Sequence, residues 1–295
     1  MPANTRPRRS ALYIPGSNTR ALEKGRQIAS DVLILDLEDA VAPEAKDSAR
    51  AMVAAAVGAH AYGSREVVIR VNGLDTPWIA RDIAAAVAAR PDAVLIPKLS
   101  RVEDLRRARA ALTAAQAPAG LSLWAMIETP QAVLNAAAIA AMAGGSGVPL
   151  TCLVVGTNDL ARETGVRIKP GRASLVSWLS SCVLAARAYG LSVLDGTYNQ
   201  LTDWEGFHAE CEQGRDLGMD GKTLIHPRQV PIANEVFSPT AEEIAWAEKV
   251  VVAFTLPENA NRAVIAVEGQ MVERLHLLLA ARVLETATAI LPPET

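Results

Sequence analysis

Eight times along this chain a short apolar run gives way to a longer, alanine-rich stretch. The runs are ALYIP (11–15), VLILDLE (32–38), EVVIRVN (66–72), AVLIPKL (93–99), LSLWAMIE (121–128), CLVVGTND (152–159), LSVLDGT (191–197) and KTLIHP (222–227). Helical stretches follow near 18–29, 44–57, 77–89, 101–116, 130–143, 172–189, 203–217 and 240–254. The runs are nearly continuously apolar, as strands are when both sheet faces are covered. Parallel strands need crossover connections of this length, usually a helix. Eight such units predict an α/β fold, a closed TIM (β/α)₈ barrel. A doubly wound open sheet is the alternative, but no G-x-G-x-x-G follows the first run. Residues 1–255 therefore read as one barrel domain, and TLPENANRAV (255–264) breaks the pattern. The remainder, 256–295, reads as a C-terminal helical extension with an amphipathic helix near 271–290.

Composition narrows the function classes. With 29 Lys and Arg against 32 Asp and Glu, the net charge of −3 offers no basic face for nucleic acid. The basic cluster RPRR (6–9) reads as a solvated tail. No run reaches the ~18–20 apolar residues of a membrane span, and the N-terminus lacks a signal-peptide core. Three cysteines, Cys152, Cys182 and Cys211, without metal-type spacing, suit unpaired thiols in a reducing cytoplasm.

Strand C-terminal ends form the catalytic face of such a barrel. The runs deliver Glu38 and Asp39, Arg70 and Asn72, Lys98, Glu128, Asn158 and Asp159, Asp195 and His226 to that rim. Three carboxylates within DLED (36–39) repel one another and call for a counter-charge. A rim rich in carboxylates implies a divalent cation, and all-oxygen ligands select Mg²⁺, with Mn²⁺ as the alternative. Glu128 and Asp159 suit the two protein ligands, with Glu38 and Asp39 behind them on metal-bound water. Arg70 shares a strand face with Val68, so it points inward. It serves either as a fork for a carboxylate or enolate oxygen or as a structural ion pair.

Taken together and in order, RSALYIPGSNTRALEKG, DVLILDLEDAV, VVIRVNGLDTPW, AVLIPKL, AMIETPQAVLN, VVGTNDLARETG and GMDGKTLIHPRQV resemble the citrate lyase β-subunit-like branch of the HpcH/HpaI aldolase family. The resemblance covers about residues 9 to 285. It implies a Mg²⁺-dependent TIM barrel that makes or breaks a carbon–carbon bond beside a thioester, as malyl-CoA and citramalyl-CoA lyases do. By this resemblance Arg70 contacts substrate, Glu128 and Asp159 hold the metal, and Glu38 and Asp39 form the acidic pair. Arg20, Lys24 and His226 become candidates for contact with coenzyme A. For Lys24 a solvated helix face, and for His226 a helix cap, are equal alternatives. The family's C-terminal G-x-M-I-D aspartate is replaced here, in EGQMVERL, by Glu273, the candidate acid–base group.

The expected reaction is cleavage of a 3-hydroxyacyl-CoA thioester to acetyl-CoA and an α-keto acid. Three other readings stand beside it: a citrate lyase β subunit acting on a carrier-protein thioester, a CoA-free pyruvate aldolase, and a non-catalytic binding subunit. Met271, Leu275, Leu278, Leu279 and Val283 form one stripe at helical spacing. The resemblance implies that this stripe crosses to a neighbouring subunit of a homotrimer or hexamer and carries Glu273 there.

Overall fold

The computed structural model describes residues 6–259 and 261–290. Eight strands close a parallel barrel in sequence order, each paired to the next and β8 to β1. They are β1 (Ser10–Pro15), β2 (Val32–Asp36), β3 (Glu66–Arg70), β4 (Ala93–Ile96), β5 (Ser122–Ile127), β6 (Leu150–Val155), β7 (Ser192–Asp195) and β8 (Gly221–Leu224). The crossovers carry α1 (Thr19–Gly25), α2 (Lys46–Gly58), α3 (Ile79–Ala89), α4 (Val102–Ala114), α5 (Pro130–Leu134) and α6 (Ala136–Ala140). After β6 come α7 (Thr157–Thr164), α8 (Val176–Ala188), α9 (Trp204–Asp216) and, behind β8, α10 (Gln229–Val236). The predicted barrel is therefore present, and all eight apolar runs contain a strand.

Side chains alternate across each strand, and one phase fills the interior. Val32 and Ile34, Val68, Ala93 and Leu95, Trp124 and Met126, and Cys152 and Val154 make one buried cluster. Glu66 and Arg70 share the phase of Val68 and occupy the two ends of β3. At the amino end, Arg8 donates to both oxygens of Glu66 at 2.7 Å and stacks 4.7 Å from the Trp124 ring. Asp36, Arg70 and Glu128 continue the inward phase at the carboxyl end. That end is the rim.

Four expectations need correction. RPRR is not a solvated tail throughout: Arg8 is buried on Glu66, and Arg9 is paired with Asp31. The sixth run does not extend as strand to Asp159: β6 stops at Val155 and Thr157–Thr164 is helical, with Gly156 at its N-cap. The stretch 240–254 is not the eighth barrel helix, because the shorter α10 takes that place. Among the described residues the chain forms one compact unit over Arg8–Asn234 and another that includes Glu235–Ile290, so α11 (Ala241–Thr255) belongs with the C-terminal segment. The division falls about twenty residues before the expected one at 255. The reason is packing: Ala247, Val250 and Phe254 of α11 form a separate core with Ile265, Val267, Val272 and Ala280.

The C-terminal unit also contains a hairpin that helical periodicity concealed. β9 (Val264–Val267) pairs antiparallel with β10 (Gln270–Glu273), and α12 (Arg274–Ile290) follows. Glu268 and Gly269, both with positive φ, make the turn. Glu273 thus ends a strand rather than lying in a helix, and its N–H donates to His276 Nδ1. Of the predicted stripe, Val283 packs inward with Leu277 and Leu284. Met271 lies on β10, and Leu275, Leu278 and Leu279 are exposed.

Candidate active site

The register of the β2–β3 ladder places Asp36 beside Arg70. Arg70 Nε and Nη2 each donate to one Asp36 oxygen at 2.6 Å, and both residues are buried. Burial alone would raise the Asp36 carboxyl. The charge and hydrogen bonds of Arg70, with the N–H groups of Glu38 and Ala40, outweigh it and hold the group below the usual range. The guanidinium lies 4.8 Å from the Tyr13 ring, a cation–π contact on its other side. Its fork is thus closed by a residue of the same chain. One nitrogen, Nη1, remains toward the rim, 2.9 Å from Glu38 Oε2 and 3.7 Å from Asp39.

The loop after β2 is clamped from behind. Lys46 Nζ donates to the carbonyls of Leu37 and Glu38 at 2.8 Å. Asn72 donates to Leu37 O and to Asp82, which is itself paired with Arg50. These bonds fix where Glu38 leaves the backbone. Its carboxylate accepts from Lys98 Nζ at 2.7 Å through Oε1. Oε2, buried, stands beside Arg70 at ion-pair distance but makes no hydrogen bond. Burial pushes Glu38 up, against the lowering charges of Arg70 and Lys98. The counter-charge sought for DLED therefore comes first from this chain: Arg70 for Asp36, and Lys98 with Arg70 for Glu38. Asp39 is more than half exposed and lies at the solvent edge of the group, 3.7 Å from Arg70 Nη1.

Glu128, just past β5, is 1% exposed. Its Oε1 accepts the Lys98 backbone N–H at 2.7 Å. Gly156 is packed directly against it: a Cβ there would collide with the Glu128 Cβ and come within 2.7 Å of Oε2. Only glycine lets the N-terminus of α7 approach so closely. Burial, then the negative charges of Glu38 and Asp159, push the Glu128 carboxyl up to about 8. Asp159 sits in the first turn of α7, with Oδ1 2.6 Å from Arg162 Nη2 yet without a hydrogen bond. Among the described residues no three His, Cys, Asp or Glu converge as a closed metal cage. A buried carboxylate whose proton affinity a second carboxylate raises, with open oxygens on the pair, matches instead a cation that keeps water and substrate ligands, as Mg²⁺ does.

The remaining candidates lie around the same end of the barrel. The segment after β1 is drawn onto β2 by Gly16, whose N–H donates to Asp36 O at 2.8 Å and which has no room for a Cβ. It leads into α1, where Arg20 and Lys24 are exposed. His226 Nδ1 accepts the Arg228 N–H, which puts the ring in a capping role at the start of α10. Asn158 is tied to Asn199 and Thr197. Asp195 points to the outer layer, where Lys222 and Arg172 neutralise it. A cavity of 530 Å³ is lined by Thr157, Asn158, Lys169 and Tyr198 among others, but by none of Glu38, Arg70 or Glu128. Sequence reasoning passed over Asp36 as a partner for Arg70, the double role of Lys98, and Gly156. The in-phase positions Asp36 and Arg70 on adjacent strands were the available signal for the first.

The profile of the HpcH/HpaI aldolase/citrate lyase family matches residues 9–227. A (3S)-malyl-CoA thioesterase of Cereibacter sphaeroides is 50% identical over 284 residues, 96% of each chain. The citrate lyase subunit beta of Leuconostoc mesenteroides subsp. cremoris is 34% identical over 97% of this chain and 95% of its own. The crystal structure of CitE from Mycobacterium tuberculosis, in complex with magnesium, acetoacetate and coenzyme A, superposes with a TM-score of 0.74 at 28% identity. The match covers 95% of this chain and 97% of that one. The chain is an enzyme of the HpcH/HpaI aldolase/citrate lyase family.

Proposed function

We propose that this enzyme cleaves a (3S)-malyl-CoA-type 3-hydroxyacyl thioester to acetyl-CoA and a 2-oxo acid, with Mg²⁺ held by Glu128 and Asp159. The observation that carries the reading is the buried Glu128. Its carboxyl is pushed up to about 8 by burial and by the neighbouring carboxylates Glu38 and Asp159, and a cation relieves that repulsion. The ligands of the relatives described above, malyl-CoA, magnesium and coenzyme A, fit the same chemistry.

When bound, the ion supplies Lewis acidity to the hydroxyl and carboxylate of the α-hydroxy acid half. The chain's residues do the rest. Arg70, locked on Asp36 and so unable to swing, offers Nη1 to the thioester oxygen on which enolate charge develops. A preorganised donor of this kind contributes several kcal/mol in the transition state. Glu38 and Asp39 hold water at the rim. Arg20 and Lys24 take the phosphates of coenzyme A as exposed cations, and His226 borders the thioester channel. Glu273 carries the proton to and from the acetyl carbon, across a subunit interface. The exposed Leu275, Leu278 and Leu279 support that interface, and with it a homotrimer or a hexamer. A cytoplasmic location accords with three buried, unpaired cysteines.

A second reading is hydrolysis of the same thioester, favoured by the name of the 50% identical relatives. The products separate the two. Purified protein is incubated with (3S)-malyl-CoA, with Mg²⁺ or with EDTA. Lyase action releases glyoxylate and acetyl-CoA; hydrolysis releases malate and free CoA. Absence of Mg²⁺-dependent turnover of malyl-, citramalyl- and citryl-CoA overturns both.

A further inference from the structure

Several non-glycine residues have φ in the left-handed region, and most have an ordinary reason. His60, Arg90 and Gln116 follow the ends of α2, α3 and α4, Arg172 follows Gly171 in the loop before α8 and is held by Asp195, and Glu268 lies in the β9–β10 turn. Lys98 is different: it follows Pro97 at the end of β4, with φ +53°. A residue with a Cβ adopts this conformation only where its surroundings impose it, and such residues gather at functional sites.

The conformation has a clear consequence. It aims the Lys98 N–H at Glu128 Oε1 and sends Nζ to Glu38 Oε1, both at 2.7 Å. Glu38 follows β2 and Glu128 follows β5, strands that are not neighbours. One residue thereby ties together two carboxylates from separate parts of the barrel. With Oε1 occupied, Glu128 is left with Oε2, the oxygen packed toward Gly156 and the first turn of α7. With Oε1 occupied, Glu38 is left with Oε2 facing Arg70 Nη1.

We propose that Lys98 is a positioning residue for the reaction. Its N–H selects the oxygen of Glu128 that is left open, and its ammonium holds Glu38 against Arg70 and away from the cation. The inference rests on the cation assigned above to Glu128 and Asp159.

The test uses the full-length protein, Mn²⁺ as a paramagnetic substitute for Mg²⁺, and the variants Lys98→Met and Lys98→Gly. Both lack the ammonium and keep the N–H; glycine also accepts the left-handed backbone freely. Electron paramagnetic resonance titration should show both binding Mn²⁺ about threefold or more tightly than wild type, because the charge of Glu38 is no longer neutralised. Activity on (3S)-malyl-CoA should move the other way, with kcat down about tenfold or more as Glu38 and Arg70 lose their registration. Lys98→Arg should restore Mn²⁺ affinity to near wild type. In a Glu38→Gln background, Lys98→Met should cost little further kcat, since it acts through Glu38.

Mn²⁺ affinity that is unchanged or weaker in both variants overturns the proposal, as does an additive loss in the Glu38→Gln background. A wild type that turns over no hydroxyacyl thioester overturns the proposed reaction alone, and the Mn²⁺ titration still decides the role of Lys98. A wild type that binds no Mn²⁺ overturns both.

Discussion

Arg70 spends its bidentate edge on Asp36, at 2.6 Å per bond, and keeps only Nη1 for the rim. The arrangement makes the arginine a fixed donor rather than a clamp. Lysine at this position retains the charge but loses the planar fork. Arg70→Lys should lower kcat/KM on the thioester about tenfold or more, equivalent to ~1.4 kcal/mol. Near-normal kinetics in that variant would leave Arg70 a structural role alone.

Removing the partner tests the same pair from the other side. Asp36→Ala leaves a buried guanidinium without its counter-charge, and breaking such a pair costs about 3–5 kcal/mol. Urea unfolding should show a loss of that order, together with loss of activity. A variant as stable as wild type would mean that water or Glu38 replaces the aspartate at little cost.

Gly156→Ala probes the proposed metal pair without substituting either carboxylate. The added Cβ would meet the Glu128 side chain, so the carboxylate must move. Mn²⁺ affinity should fall about tenfold or more, the usual effect of disturbing the shell around a metal ligand. Asp159→Asn, which removes the charge of the second proposed ligand, should need far higher Mg²⁺ for residual turnover. Unaltered Mn²⁺ affinity in both variants would move the cation elsewhere.

Acid should act on a different cluster. Asp195 is fully buried, and although burial raises its carboxyl, Lys222 and Arg172 hold it below the ordinary value of 3.8. A depressed folded-state pKa contributes stability above the unfolded value and loses it as pH falls through the folded one. Urea midpoints should therefore drop as pH falls below about 3.8, the value for the unfolded carboxyl. In Asp195→Asn this acid-dependent contribution should be gone, and the variant should be weaker already at neutral pH. An unchanged acid limb in that variant would assign the effect to other carboxylates.

The sequence by itself determined the barrel and most of its rim. Eight apolar runs joined by helix-length segments leave few alternatives, because buried parallel strands must be crossed over and covered on both faces. Strand ends then select which polar residues meet, and so Glu38, Arg70 and Glu128 were legible at the rim, whereas Asp159 reaches Glu128 from the first turn of α7. Tertiary structure decided how these groups are held. That Asp36 closes the fork of Arg70 depends on the register between β2 and β3. That Lys98 reaches Glu38 depends on a backbone turn that its side chain does not favour, while Gly156 matters only because Glu128 packs across onto it. In the C-terminal unit the apolar spacing looked helical from 271 onward, yet 264–273 is a hairpin and the stripe that faces inward is not the predicted one. Short segments with few residues per period carry too little pattern to fix their own conformation, and packing against α11 chose it.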